Sequence, residues 1–285
     1  MHLPHLKEAE PSEIAQLQGQ WQAAANIVRS KFKRLALQVG HRRWKYRIYD
    51  IDENDAEGEP IEYTFDQVKA FEPEYVVFCE LHFVPHDVPH IESTEDFIFD
   101  VLVPFAMKHL DKDDPYLRIQ SYLGTRAPES ILDYFWDVDQ IKHYVITEAL
   151  NIKPFLHHKI QSITPLKLEL IAYSYKDTMP FLERKFIAGE LEMFDGETAE
   201  LNVSLEFANQ IVDRFRETKG ERPFFFFGKR KFKYAHLEPR LAGLIYKKKN
   251  YYKKNKYIRE YTIPGTDKKL SLISDRGRCI TFQVE

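Results

Sequence analysis

The sequence predicts an α+β protein that is built mainly from antiparallel sheets with flanking helices. Three observations support this: short segments of alternating apolar and polar residues, other segments with apolar residues three or four positions apart, and 15 Pro with 11 Gly, which indicate frequent turns. We expect a long amphipathic helix near the N-terminus and a three-strand meander at the C-terminus.

The first element that the pattern predicts is a helix over residues 11–39. Its apolar residues recur at helical spacing, and Gly40 follows as a stop signal. Alternation over residues 44–49 then predicts a strand, and residues 61–65 provide its hairpin partner.

The middle of the chain alternates between strand and helix patterns. Strands are expected over residues 75–83 and 116–122, and a helix is expected over residues 93–109, with a kink or an early end at Pro104. A second helix is expected from residue 128, because Ile131, Leu132, Phe135 and Trp136 share one helical face.

The second half of the chain is expected to be richer in strands. Residues 186–194 and 198–207 resemble a hairpin around Asp195-Gly196, and a short helix follows. The remaining expected elements are a strand over 166–175, a hairpin of 222–227 with 229–236, a helix over 239–249, and a meander with turns at 264–265 and 275–277.

Charge divides the chain into two parts of opposite character. Residues 219–285 hold 18 Lys/Arg against 6 Asp/Glu, whereas residues 1–218 hold 23 against 38. A chain of 285 residues can form one large domain or two. We expect an acidic, helix-rich α+β half over residues 1–160 and a strand-rich half over residues 161–285, which could equally form one continuous domain.

The composition also indicates a compartment. No apolar run approaches the roughly 20 residues that cross a bilayer, and the first residues do not resemble an export signal. The two cysteines, Cys79 and Cys279, cannot build a disulfide framework or a cysteine-based zinc site. We therefore expect a cytoplasmic protein that has no membrane partner.

A basic and aromatic region over residues 219–260 is the strongest functional signal. It holds 14 Lys/Arg against three carboxylates, with aromatic residues between them. Cations that neutralise phosphates, beside rings on which bases stack, are typical of single-strand DNA and RNA binding. The candidate residues for nucleic-acid binding are Lys229, Lys231, Lys233, Tyr246, Lys247, Lys248, Lys249, Tyr251, Tyr252, Lys253, Lys254, Lys256 and Tyr257.

A second cluster gathers histidines and carboxylates between residues 80 and 92. Glu80 and His82 would share one strand face, and the following loop could bring His86 beside them, which would suit a divalent metal ion. Such a centre would make the protein a metal-dependent phosphodiesterase or nuclease. Alternatively, these histidines belong to a polar surface loop, because Pro85 and Pro89 exclude a helical metal motif.

One further class of function remains open. The basic end could dock on an acidic surface of a protein partner or of a second copy of the chain, which would make this an interaction or assembly protein.

The sequence contains no Gly-x-Ser-x-Gly elbow, no phosphate-binding glycine loop and no dinucleotide fingerprint. No catalytic residues can therefore be assigned, and a divalent metal is the one cofactor that the residues indicate.

Overall fold

A computed structural model of the protein describes residues 21, 28, 31–54, 58–86, 88, 91–122, 124–172, 176–196, 201–249, 256–275 and 279–284, with backbone alone at 248, 249, 256 and 275. No helix within these ranges is both long enough and apolar enough to cross a bilayer.

The described strands form one mixed sheet of 15 strands. Its strands are β1 (Lys33–Gly40), β2 (Lys45–Asn54), β3 (Pro60–Tyr63), β4 (Val76–Val84), β5 (Ile91–Glu92), β6 (Tyr116–Ile119), β7 (His143–Thr147), β8 (Leu166–Ile171), β9 (Leu191–Asp195), β10 (Asn202–Val203), β11 (Phe224–Arg230), β12 (Ile245–Lys249), β13 (Lys256–Thr262), β14 (Lys269–Asp275) and β15 (Cys279–Val284). The spatial order is β12-β13-β14-β15-β11-β9-β8-β7-β6-β4-β1-β2-β3, while β10 pairs with β11 and β5 with β2.

The centre of the sheet is parallel. Strands β1, β4, β6, β7, β8, β9 and β11 lie side by side in the order in which the chain makes them. Antiparallel strands flank this centre: β2 and β3 continue it beyond β1, and β15, β14, β13 and β12 continue it beyond β11. Parallel neighbours need a crossover segment between them.

Helices provide most of these crossovers. They are α1 (Phe65–Ala70), α2 (the consecutive segments Glu95–Phe97, Ile98–Leu102 and Val103–Lys108), α3 (Glu129–Phe135), α4 (Ile152–Ser162), α5 (Met179–Ile187), α6 (Leu205–Glu217) and α7 (Glu238–Leu241). The central segment of α2 is a π-turn, in which the Val103 amide donates to the Ile98 carbonyl. Pro104, directly after it, has no amide proton for the helical ladder.

One face of the sheet, here named the helix face, packs against α2 to α6. The aromatic rings of these helices contact rings on the strands, and consecutive crossovers of one hand place their helices on one side. The contacts are Phe105 with Phe78, Phe135 with Phe83, Phe155 with Tyr144, Phe186 with Phe226, and Phe207 with Phe226, at centroid distances of 4.9–6.3 Å.

The opposite face of the parallel strands, here named the polar face, carries partly exposed and mostly polar side chains. Strand residues alternate between faces, so residues next to the buried Leu81, Leu117 and Leu168 point to this side. Its side chains include Glu80, His82, Tyr116, Arg118, His143, Lys167 and Glu169.

The predicted α+β class with mainly antiparallel sheets is wrong. The predicted class requires mainly antiparallel neighbours, but β8 and β9 pair in parallel and α5 connects them. Likewise β9 pairs in parallel with β11, and α6 separates them, so the expected hairpin around Asp195-Gly196 does not form. Prolines in the first turns of α4 and α5 obscured these helices in the sequence.

Both terminal predictions also change. The predicted N-terminal helix reached Val39, but Lys33–Gly40 is strand β1; most of the remainder lies outside the described residues. At the other end the antiparallel part has four strands rather than three, because β12 replaces the second half of the predicted helix over 239–249. The β7–β8 pairing joins the chain on both sides of residue 160.

Candidate nucleic-acid interface

The rings of the basic region meet at the β12 edge of the sheet. Tyr246 of β12 lies opposite Tyr261 of β13, and their ring centroids are 5.3 Å apart. Tyr257 and Arg259 precede Tyr261 at intervals of two, so all three share the face of β13 that carries Tyr261. Alternation therefore places three tyrosines and an arginine on one surface.

The other wall of this surface comes from the segment after β11. It contains a 3₁₀ turn, Tyr234–His236, and then α7. Leu237 and Leu241 are buried and hold this segment against the sheet. The Tyr234 and Tyr261 hydroxyl groups are hydrogen bonded to each other, which ties the turn to β13.

Between these walls lies a cavity of about 530 Å³, here named the tyrosine pocket. Its lining residues are Tyr234, Glu238, Leu241, Ala242, Leu244, Tyr246, Tyr257, Ile258, Arg259 and Tyr261. Tyr246 is 48% exposed and Tyr257 is 53% exposed. Such exposed rings can stack on a flat ligand without any rearrangement of the core.

Arg259 supplies a positive charge inside the pocket. Its guanidinium carbon lies 4.0 Å from the centroid of the Tyr234 ring, which is a cation–π contact. Burial and the hydrogen bond with Tyr261 raise the pKa of Tyr234, and they outweigh the opposing effect of Arg259. Burial also raises the pKa of Tyr261. Both phenols therefore stay neutral at physiological pH.

The predicted lysines are distributed around this pocket unevenly. Lys231 and Lys233 are exposed in the segment between β11 and the 3₁₀ turn, and Lys247 is exposed on β12, on the strand face opposite to Tyr246. Lys229 is partly buried in β11, opposite Cys279. The expected hairpin of 222–227 with 229–236 is wrong, because residues 224–230 form the single strand β11, so Lys229 does not share a strand with Lys231 and Lys233.

The structure describes only the backbone of some other candidates in this region and does not describe the rest. The backbone of Lys248 and Lys249 belongs to β12, and that of Lys256 belongs to β13, but their side chains are not described. Tyr251, Tyr252, Lys253 and Lys254 lie outside the described residues. Their assignment to nucleic-acid binding remains a prediction from the sequence.

On the polar face, Glu80 and His82 come together as the strand pattern predicts. The His82 Nε2 atom lies 3.2 Å from Glu80 Oε2 and 2.7 Å from the Tyr116 hydroxyl oxygen. Burial raises the pKa of Glu80, but the hydrogen bonds from His82 and Tyr116 and the charge of Arg118 outweigh it and lower that pKa. Glu80 is therefore an ionised acceptor at neutral pH.

The polar cluster continues across two more strands. The Tyr116 ring lies 5.4 Å from the His143 ring, and His143 Nε2 lies 3.3 Å from Glu169 Oε1. Because Glu80, Tyr116 and His143 occupy one cross-strand row, the parallel order of β4, β6 and β7 creates this arrangement.

His86, the third member of the predicted metal set, is exposed beyond the end of β4. Its backbone packs against Gly40. Within the described ranges, no three His, Cys, Asp or Glu side chains are grouped so that they could hold a metal ion. The divalent metal thus remains a prediction from the sequence.

Several site residues escaped the sequence analysis. Tyr234 and Glu238 reach the tyrosine pocket only through the tertiary fold, whereas the spacing of Tyr257, Arg259 and Tyr261 was a usable strand signal. Comparison of the chain with models of known protein families, with curated proteins and with solved structures found no match.

Proposed function

We propose that this protein binds nucleic acid in single-stranded form through the tyrosine pocket and the lysines beside it. The observation that carries the proposal is the pair of half-exposed rings, Tyr246 and Tyr257, in a cavity that also holds Arg259. A stacked base contributes about 1 to 3 kcal/mol per aromatic ring.

The charges around the pocket support the same function. Lys231, Lys233 and Lys247 are exposed near this end of the sheet and can neutralise phosphates on either side of a stacked base. Lys231 and Lys233 belong to the segment before the 3₁₀ turn, and Lys247 lies on the opposite face of β12 from Tyr246, so a strand of several nucleotides would be needed to contact these lysines and the rings. Duplex DNA, whose bases are already stacked, would gain only the phosphate contacts.

Fluorescence anisotropy over a salt series tests the proposal. Short single-stranded DNA, single-stranded RNA and duplex probes are compared with wild-type protein and with the triple variant Lys231→Ala, Lys233→Ala, Lys247→Ala. If each lysine contacts one phosphate, the slope of log affinity against log salt falls by about 2 in magnitude for single strands. The matched control replaces the exposed Lys69, Lys108 and Lys112 by alanine and leaves the slope unchanged.

A ring variant separates stacking from charge. Tyr246→Ala together with Tyr257→Ala should weaken single-strand binding about tenfold or more while the salt slope stays the same. Tyr122→Ala removes a ring of similar exposure elsewhere and is the control. Unchanged affinity in the double variant, or equal binding of duplex and single strands, would refute this assignment of the pocket.

Assembly through opposite charges is the second candidate. Within the described sheet β12 is an edge strand, and it presents the exposed Ile245 beside Tyr246 and Lys247. An edge strand of this kind can pair with another chain. If no probe binds at low salt, the molar mass in solution across salt concentrations tests this alternative, because charge-driven assembly weakens as salt rises.

A further inference from the structure

The size and opening of the tyrosine pocket fit one nucleotide unit. A volume of about 530 Å³ lies within the range of small-molecule sites in proteins. Tyr246 and Tyr257, each about half exposed, stand where a base could enter and stack. The pocket can therefore select one base of a bound strand, which the exposed lysines cannot do.

Arg259 already occupies the aromatic face that a cationic occupant would need at Tyr234. Clusters of aromatic rings often bind quaternary ammonium groups through the ring faces. Here the guanidinium group of Arg259 already lies over the face of Tyr234, at 4.0 Å. A second cation near Tyr234 would be repelled by Arg259, so an occupant must bring hydrogen-bond acceptors toward Arg259, whereas Glu238 leaves room for donors elsewhere in the lining.

Two side chains in the lining are free to read the edge of a base. Among the described residues, neither Glu238 nor Arg259 has an ion-pair partner, although both line the pocket. An ionised carboxylate only accepts hydrogen bonds, and a guanidinium group only donates them. A matching ligand presents two adjacent donors at one edge and two acceptors at another.

We infer that the tyrosine pocket recognises guanine, with Glu238 accepting hydrogen bonds from N1–H and the N2 amino group, Arg259 donating to O6 and N7, and the tyrosines stacking on the ring. Guanine combines paired donors and paired acceptors, whereas adenine offers one amino donor group and uracil one ring donor. Cytosine presents its amino group to a carboxylate but has a smaller ring to stack. This inference rests on the proposed nucleic-acid binding.

The first test compares probes on the wild-type protein. A labelled eight-nucleotide RNA of uridines is compared with the same RNA carrying one central guanosine, adenosine or cytidine. We expect the guanosine probe to bind about tenfold tighter than the others, and GMP to displace it at lower concentration than AMP, CMP or UMP. This comparison uses only the wild-type protein, so misfolding of a variant cannot affect the result.

Variants then connect the preference to the two side chains. Glu238→Gln and Arg259→Lys should each reduce the guanosine preference to about twofold or less, while the salt slope on the all-uridine probe changes little for Glu238→Gln. Glu217→Gln, an exposed glutamate on α6, is the matched control and keeps the preference.

The outcomes separate this inference from the proposed function. Equal affinity for all four probes, with binding still sensitive to Tyr246→Ala and Tyr257→Ala, overturns guanine recognition but leaves nucleic-acid binding in place. A preference that survives both Glu238→Gln and Arg259→Lys overturns their assigned roles. Absence of binding to every probe at low salt overturns both proposals.

Discussion

The Nε2 atom of His82 on β4 lies 2.7 Å from the hydroxyl oxygen of Tyr116 on the adjacent parallel strand β6. The same nitrogen lies 3.2 Å from Glu80 Oε2. His82 is only 7% exposed, so its contacts with Tyr116 and Glu80 are largely buried, although the neighbouring side chains of the polar face are partly exposed. Buried polar groups of this kind depend on each other for their hydrogen bonds.

Glu80→Gln should destabilise the protein in a pH-dependent way. The pKa of Glu80 is lower in the folded protein than in the unfolded chain, so its contribution to stability is present above about pH 4.5 and is lost as pH falls through the folded value. We expect a loss of about 1 to 2 kcal/mol at pH 7 and a smaller loss at pH 3.5.

Urea denaturation at pH 7, 5 and 3.5 measures this difference. Glu192→Gln, at an exposed position of β9, is the control and should change stability little at any of these pH values. A difference between wild type and Glu80→Gln that stayed constant down to pH 3.5 would contradict the role of Glu80 as an ionised acceptor.

Lys159→Ala should cost about 3 kcal/mol of unfolding free energy. Lys159 is 1% exposed, and its Nζ atom donates to the carbonyl oxygens of Trp136, at 2.7 Å, and Val138, at 2.9 Å. The variant leaves both acceptors buried without a donor and opens space beside α4. Lys153→Ala, on the same helix but partly exposed and paired with Asp177, should cost less than about 1 kcal/mol.

Gly40→Ala should be destabilising because the backbone approaches Gly40 closely at the end of β1. A β-carbon there would lie 2.6 Å from the His86 carbonyl oxygen and 2.8 Å from the Val88 amide nitrogen. Backbone atoms cannot move aside as a flexible side chain can, so we expect a cost of about 2 to 3 kcal/mol and a lower Tm. An unchanged Tm would mean that the loop after β4 adapts freely.

Cys79 should react far more slowly with thiol reagents than Cys279. Burial raises the pKa of Cys79 to about 12, and its Sγ atom donates to Asp111 Oδ2 at 3.3 Å. Because the thiolate is the reactive form, almost none is present at pH 8. Titration of native protein with a chromogenic disulfide should show one fast thiol, and Cys279→Ser should remove it. A fast thiol that persists in Cys279→Ser would contradict this assignment.

Local patterns revealed single elements better than their arrangement. An apolar run located the strand that became β4, at Val76–Val84, and helical spacing located α3, at Glu129–Phe135. These patterns did not predict strand direction, because parallel and antiparallel strands can have the same residue pattern. Only recognition of the crossover helix distinguishes the two. Pro154 and Pro180 lie in the first turns of α4 and α5, where proline is tolerated, and concealed two of those crossovers.

The candidate site shows the same limit. Lys231, Lys233, Tyr246 and Tyr257 could be selected from composition alone, since cations and rings alternate there. Glu238 and Tyr234 could not be selected in this way. Burial of Leu237 and Leu241 places their segment at the tyrosine pocket, beside β13, which is distant in sequence. Similarly, the row of Glu80, Tyr116 and His143 exists only because three separate strands are parallel and in register.

The position of β15 has a consequence for how the protein is made. Each strand of the parallel centre pairs with the parallel strand that was made before it. The central sheet can therefore grow from its N-terminal side while the ribosome is still translating. Strand β15 follows all of these strands in the chain, pairs with both β11 and β14, and thereby joins the antiparallel part to that sheet. Within the described sheet, β12, β13 and β14 therefore gain their strand pairing to the parallel centre only after β15 has been made, and a premature stop before residue 279 removes that pairing.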